Sequence, residues 1–281
     1  MIRFTLIQAF GRNQISVPRS GRDLRQVSGF GFQNRKDDLL DLLEKYFQII
    51  NKERLYSSQN NLRFYLRYLF RDVSFKNRRM LDIGGGAGIF SFYAACMGAS
   101  EVVCLEPGME GFLPVTMKKF QRLQSGLREV QSVRRLSTDI QNFDASDQGF
   151  DIILLHNSIN HLEEAACIKL HEDPKARKTY HTLFLKLRDL SNKGAKLVIS
   201  DCSSANFFLR FHFRNPFAWD IEWHKHQRPE LWIDLLRKAG FSKPRVRWRS
   251  FDQLRLPGRF LTGNRAIAYF LQSHFCLTME K

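Results

Sequence analysis

The sequence is poor in the features that announce several protein classes. Its five cysteines, Cys96, Cys104, Cys167, Cys202 and Cys276, are an odd set with no CxxC pair. That argues against a disulfide framework and a zinc ribbon, and for a reducing cytoplasm. No stretch reaches the roughly 18 uninterrupted apolar residues of a membrane span. Residues 1–10 hold one arginine and a short apolar run. They lack the length and the small-residue cleavage site of a secretory signal, so a cytoplasmic protein is expected. There is no internal repeat. Acidic residues are also in deficit, 28 against 44 basic ones, for a formal net charge of +16.

What remains is the composition of a folded domain. Of the 281 residues, 43% are hydrophobic, which supports a full core and excludes disorder as the dominant state. The length suits one domain with embellishments or two small ones. The basic excess is unevenly placed: residues 1–80 carry +9, residues 81–204 carry −1, and residues 205–281 carry +8. A near-neutral centre between two basic flanks points to a catalytic or binding core with something anionic outside it. A solvated surface rich in arginine is the plain alternative.

Residues 11–35 are glycine-rich and polar, and read as an irregular lead-in. Over residues 35–53 the apolar positions Leu39, Leu42, Leu43, Tyr46, Phe47 and Ile50 recur at helical spacing. A second helix is expected over residues 58–73, with Ser58 as cap and Leu62, Tyr65, Leu66 and Leu69 as its apolar face. From Arg79 the pattern changes. Short apolar runs at 80–83, 101–105, 150–155 and 195–199 alternate with helical stretches at 90–98, 109–124 and 180–190. This alternation means βαβ units, hence an α/β fold with a mostly parallel sheet covered on both faces. A helix over 229–239 stops at Gly240. The runs RVRWRSF and AIAYFLQSHFCLTME then read as two strands, an antiparallel pair at the sheet edge. The chain divides on this reading into a basic, helical cap (1–76) and a main domain (77–281) with an insertion at about 205–228.

The strongest local signal is MLDIGGGAGIFSFYAA. A strand ends at Asp82, and Gly84, Gly85, Gly86 and Gly88 crowd the turn into the next helix. Glycines there admit backbone conformations closed to other residues and let a ligand approach the main chain, while the helix N-terminus offers free N–H groups. The spacing is GxGxG with Ile89 where a dinucleotide fingerprint wants glycine or alanine, which weakens an NAD reading. No GK[ST] follows, so a P-loop is excluded. Glu106 ends the next strand about twenty residues on, where a carboxylate accepts both ribose hydroxyls. Asp139 and Ile140 are placed at the end of the strand after that. Each acid alone is weak; the ordered set is strong.

With these motifs the sequence resembles the class I S-adenosylmethionine-dependent methyltransferases of small-molecule type, over about residues 60–204 and more loosely in the C-terminal strands. Residues 1–58 match no part of that family. The resemblance implies a doubly wound, seven-stranded Rossmann-like sheet with S-adenosylmethionine as cofactor. It implies that Gly84, Gly85, Gly86 and Gly88 face the methionine part of the cofactor and that Asp82 supports the loop or the amino group. Glu106, with Pro107 beside it, looks like the ribose ligand, and Asp139 with Ile140 like the pair beside the adenine. FDIILLHNSINHLEE is similar to the fourth motif, placing His156 and Asn157 beside the methionine moiety and His161 at the start of a substrate-facing helix. His156 stands where Ser, Ala or Cys is common.

A base is needed only if the methyl acceptor must lose a proton, and histidine titrates near cellular pH. His161 is the first candidate by its place at the carboxyl edge of the sheet, with substrate contact or helix capping as its other readings. His224 and His226 are the alternatives. No carboxylate or cysteine nearby completes a metal set with them, so no metal is expected. The other histidines read as surface or packed residues. Cys202 follows the fifth strand, where RNA cytosine-C5 methyltransferases keep a nucleophile. The Pro-Cys those enzymes carry at the fourth strand is replaced here by His156-Asn157. The absence of [ND]PP[YF] disfavours amino-methylation of adenine or glutamine.

In the insertion, Phe207, Phe208, Phe211, Phe213, Phe217, Trp219 and Trp223 interleave with Arg210, Arg214, Lys225 and Arg228. Such a segment stacks bases beside phosphates, covers a bulky substrate, lies on an anionic membrane surface, or simply packs on the core. Arg245, Arg247 and Arg249 fall on one side of a strand, with Val246 and Trp248 on the other; such a row binds phosphate or carboxylate, or simply guards an edge strand against aggregation. The expected activity is methyl transfer, on oxygen in preference to nitrogen or carbon, to an anionic small molecule or a lipid- or nucleotide-linked glycan intermediate. The alternatives are an RNA methyltransferase that uses the basic flanks and a non-catalytic cofactor-binding partner protein.

Overall fold

Parallel strands covered on both faces must be apolar along their length, and the central runs of this chain are. The computed structural model describes residues 30–108, 113–145, 149–218, 221–249 and 263–281. Among them, β1 (Arg79–Ile83), β2 (Glu101–Leu105), β3 (Val133–Leu136), β4 (Phe150–His156), β5 (Ser191–Cys202), β6 (Ser242–Trp248) and β7 (His274–Glu280) form one seven-stranded sheet. Its order is β3-β2-β1-β4-β5-β7-β6. Pairing is parallel from β3 through to β5, and β7 runs antiparallel between β5 and β6. The expected antiparallel pair at the edge is therefore β7 with β6, and β6 is outermost. The order reverses between β1 and β4, which opens the crevice where ligands of doubly wound sheets bind.

The helices are α1 (Phe30–Lys52), α2 (Gln59–Leu69), α3 (Ile89–Cys96), α4 (Leu113–Gly126), α5 (Glu164–Ile168), α6 (Pro174–Asp189), α7 (Phe207–Arg210), α8 (Pro229–Lys238) and α9 (Arg265–Phe270). The chain forms two units, residues 1–38 and 39–281; of the first, the described part is the beginning of α1. Alternate strand residues feed two cores. Met80, Val102, Cys104, Ile152 and Leu154 pack with Tyr46, Ile50, Leu62, Tyr65 and Phe92 on one face. Leu81, Val103, Leu105, Ile153 and Leu155 pack with Tyr180, Phe184 and Trp232 on the other. A slip of one residue in any strand would exchange these sets. The helices of residues 39–69, set apart in the sequence as a cap, thus share a core with the sheet.

Three expectations change. The run AIAYFLQSHFCLTME is not one strand: its first part is α9, and only His274–Glu280 is extended. Asn264 explains the helix, because its side chain accepts the N–H of Ile267 at 3.0 Å as an N-cap. Second, β3 stops at Leu136, so Asp139 lies in the turn beyond the strand. Third, the arginine row of β6 is not an open anion receptor. Arg247 pairs with Asp72 and donates to the carbonyls of Tyr68 (3.2 Å) and Leu69 (3.3 Å), and Arg249 lies 4.0 Å over the ring of Tyr65. Two of the three arginines fasten α2 to the sheet edge. Residues 109–112 of the fourth expected helix, and Trp219, lie outside the described residues.

Candidate functional site

The glycine turn continues β1 and stays attached to the sheet, because the N–H groups of Gly84 and Gly85 both donate to the carbonyl of Leu105, at 2.8 and 3.1 Å. A side chain is excluded at three of its glycines by packing. A Cβ on Gly84 would stand 2.7 Å from Cβ of Ser158, one on Gly85 2.5 Å from Sγ of Cys104, and one on Gly88 2.6 Å from the ring of Phe120. Gly86 differs. Its φ is +55°, and nothing lies within 4 Å of its Cβ position, so the turn is open there.

The Gly86 peptide is held from both sides. Its N–H donates to Oε2 of Glu106 at 2.8 Å, and its carbonyl accepts from Arg135 Nη1 at 2.6 Å. Glu106 therefore reaches from the end of β2 onto the open face of the turn, and its Oε1 has no partner among the described residues. Pro107 beside it is exposed. Asp82 is placed differently from a ligand-facing acid. It is fully buried and accepts from Ser91 Oγ at 2.6 Å, tying β1 to the first turn of α3. Desolvation pushes its carboxyl up to about 7, the Ser91 bond opposing and the Glu106 charge adding to the shift. Of its two expected roles, loop support is the one that this placement serves.

Asp139 and Ile140, expected as a pair beside the adenine, are placed differently from each other. Asp139 accepts the N–H and the side-chain amide of Asn142, at 2.7 and 3.1 Å, and so closes its own turn. Ile140 is buried in the core with Phe143 and Leu105, because the turn folds its side chain under the sheet edge.

On the other side of the crevice, Asn157 is exposed with φ +50° and donates its N–H to the carbonyl of Ser200 at 2.8 Å. Ser158 donates to the carbonyl of Ile83 at 2.7 Å, joining the ends of β1 and β4. His156 points back into the protein. Its Nε2 is 2.8 Å from the hydroxyl of Tyr65, which is 2.9 Å from Oγ of Ser200, and its ring centroid is 4.4 Å from that of Phe90. Desolvation, with the charge of Arg249, pushes this imidazole down to about 3, so it is neutral at cellular pH. Burial raises the Tyr65 hydroxyl in turn.

The candidate bases separate clearly. His161 is 53% exposed and places Nδ1 3.0 Å from Oε2 of Glu164, the first residue of α5. That contact joins two side chains and is not a cap: the N-cap residue of α5 is Glu163, with no side-chain cap bond. His224 is exposed on a 3-10 turn formed by Trp223–Lys225. His226, two residues on, turns inward. Its side chain is 14% exposed, and Nδ1 lies 3.0 Å from Oδ1 of Asp201, which is fully buried at the end of β5. Asp201 Oδ1 also accepts the N–H of Cys202 at 2.7 Å, while Oδ2 is buried without a partner among the described residues. A carboxylate that fixes one ring nitrogen leaves the other to accept or deliver a proton. No group of three metal-ligating side chains forms among the described residues.

Sequence reasoning missed Asp201, Arg135, Ser158 and the polar role of Tyr65. Only Asp201 carried a usable signal: an acid at the carboxyl end of a strand, as at Asp82 and Glu106.

No known family profile matches the sequence, and no curated protein matches it. Solved structures share its fold. One described provisionally as an S-adenosylmethionine-dependent methyltransferase, from Listeria monocytogenes, aligns with a TM-score of 0.51 and 12% identity over 78% of this chain and 99% of its own. An S-adenosylmethionine-dependent methyltransferase from Mesorhizobium loti aligns with a TM-score of 0.50 and 15% identity over 77% and 96%. A Bordetella parapertussis protein described provisionally as exported aligns with a TM-score of 0.50 and 14% identity over 81% and 68%. The chain has the α/β fold of the class I S-adenosylmethionine-dependent methyltransferases. At these identities the likeness concerns the fold, and what the protein does has to be argued from its site.

Proposed function

We propose that the protein is an S-adenosylmethionine-dependent methyltransferase acting on a small acceptor. The observation that carries this reading is the junction of Gly86 with Glu106: an open glycine turn, and a carboxylate from the neighbouring strand set on its open side at 2.8 Å. The residues present fit the cofactor. The turn has room for a ligand against the main chain, and Glu106 keeps one oxygen for a ribose hydroxyl. Asn157 and Pro107 border the same edge. The cofactor supplies a methyl group on a sulfonium, already a good leaving group, so the protein's work is mainly positioning, worth on the order of 7–11 kcal/mol.

Arg135 and Glu106 hold the Gly86 peptide, Ser158 locks β4 to β1, and the Tyr65 hydrogen bond fixes His156 behind the site. His226, oriented by Asp201, takes the acceptor's proton. This favours a hydroxyl acceptor over one without a proton to lose. The two basic flanks favour an anionic acceptor, a small molecule or a lipid- or nucleotide-linked glycan intermediate.

The test is transfer of labelled methyl groups from S-adenosylmethionine into fractionated small-molecule and lipid extracts. Label in an acidic, alkali-stable ether product is expected. Label in RNA, with binding that weakens steeply with salt, would transfer the reading to an RNA methyltransferase. Cofactor that binds and is never consumed would identify a non-catalytic partner protein.

A further inference from the structure

The segment after β5, together with α9, exposes phenylalanines as a group. Phe211, Phe213, Phe217 and Phe270 are 51%, 64%, 45% and 51% exposed. They are contiguous. Phe207 joins Phe211 to Phe270, with ring centroids 4.9 and 5.1 Å away, and Phe213 stacks on Phe211 at 6.5 Å. Phe208 links Phe207, at 5.5 Å, to Phe217, at 6.3 Å. Single exposed hydrophobics are normal; a joined aromatic patch marks an interaction surface.

The patch is built on a fixed base. Asn206 and Asn215 both donate to the carbonyl of Leu271, at 2.9 and 2.7 Å, and Gln272 donates to the carbonyl of Phe217 at 2.9 Å. These bonds tie the insertion to the turn before β7, so the rings are presented and not merely loose.

Charge decides what covers it. Neither residues 203–218 nor residues 263–273 contain a single Asp or Glu, while Arg210 and Arg265 are exposed among the rings, Arg265 being shared with Glu230. A second copy of the same face would set arginine against arginine. An anionic bilayer offers phosphates to the guanidiniums and an apolar boundary to the rings in one surface.

We infer that this face docks on an anionic phospholipid bilayer, with Phe211 and Phe213 entering the headgroup–acyl boundary and Arg210 meeting lipid phosphates. The face starts five residues beyond the end of β5, so docking holds the protein by the sheet's carboxyl edge. The inference stands without the methyl-transfer reading and needs no cofactor.

It is tested by flotation of the full chain with phosphatidylcholine vesicles, with and without phosphatidylserine, at physiological salt. Binding to the serine-containing vesicles is expected to exceed binding to pure phosphatidylcholine by at least about tenfold. The double variant Phe211→Ser, Phe213→Ser loses at least about tenfold of that binding and melts as the wild type does, because both rings are exposed. Arg210→Glu, which leaves the ring contacts alone, lowers binding as well. Three results overturn the inference: no vesicle binding by the wild type, unchanged binding by both variants, or a wild-type dimer that the double variant makes monomeric.

Discussion

Nδ1 of His226 lies 3.0 Å from Oδ1 of Asp201, a carboxylate wholly buried at the end of β5. The histidine comes from the insertion and the aspartate from β5, so the pair ties the insertion to the sheet. If this pair moves the acceptor's proton, His226→Gln lowers methyl transfer by about 10²–10⁴-fold. The cofactor's thermal shift stays the same, because neither residue touches the glycine turn. Transfer at the wild-type rate in His226→Gln would remove the ring from the chemistry.

The Tyr65 hydroxyl sits between His156 and Ser200, at 2.8 and 2.9 Å. Tyr65→Phe leaves these polar groups without that partner in a dry place and should cost about 1–3 kcal/mol of stability. In a cycle with His156→Phe, the two changes should couple by about 0.5–3 kcal/mol. Additive denaturation midpoints would show that the bond contributes nothing.

Acid stability follows from His156. Its folded value of about 3 is below the unfolded value of about 6.5. The contribution is whole above about pH 6.5. It declines as the pH falls toward 3, because the unfolded chain takes up a proton that the folded one refuses. Asp82 acts in the opposite sense: raised to about 7, it favours the fold at low pH and loses that contribution as the pH rises through 7. His156→Phe should flatten the acid limb of a melting-temperature profile, and Asp82→Asn should gain on the wild type between about pH 4 and 8. Profiles parallel to the wild type would contradict both assignments.

Gly86 and Gly88 share a positive φ, +55° and +75°, yet only Gly88 is crowded, by Phe120 at 2.6 Å. Gly88→Ala should therefore destabilise the protein by more than the roughly 1–2 kcal/mol of the left-handed backbone alone. Gly86→Ala should lose about that amount and, in addition, most cofactor affinity. Denaturant titration paired with calorimetric binding separates the two; equal stability losses would contradict the packing difference.

The layout of sheet and helices was legible in the sequence because short continuous apolar runs and helical spacing report burial, and burial on both faces is what a parallel sheet needs. The run 266–280 misled, since alanine and aromatic residues suit strand and helix alike; the decision lay with the cap made by Asn264. The place of Glu106 beside the glycine turn was readable from its spacing; the turn that Asp139 closes with Asn142 was not, because spacing does not report local side-chain hydrogen bonds. Which of His161, His224 and His226 turns inward was not legible, because the contact of His226 is with a buried aspartate 25 residues away.

The central claim is that the Gly86–Glu106 junction holds S-adenosylmethionine. The direct measurement is the melting temperature of the protein and of Glu106→Ala, with S-adenosylmethionine or its demethylated product titrated to about a hundred times the dissociation constant, where a bound ligand adds about 2.7 kcal/mol. The account predicts a clear upward shift for the wild type and none for Glu106→Ala. No shift in the wild type, or the same shift in both proteins, would contradict it.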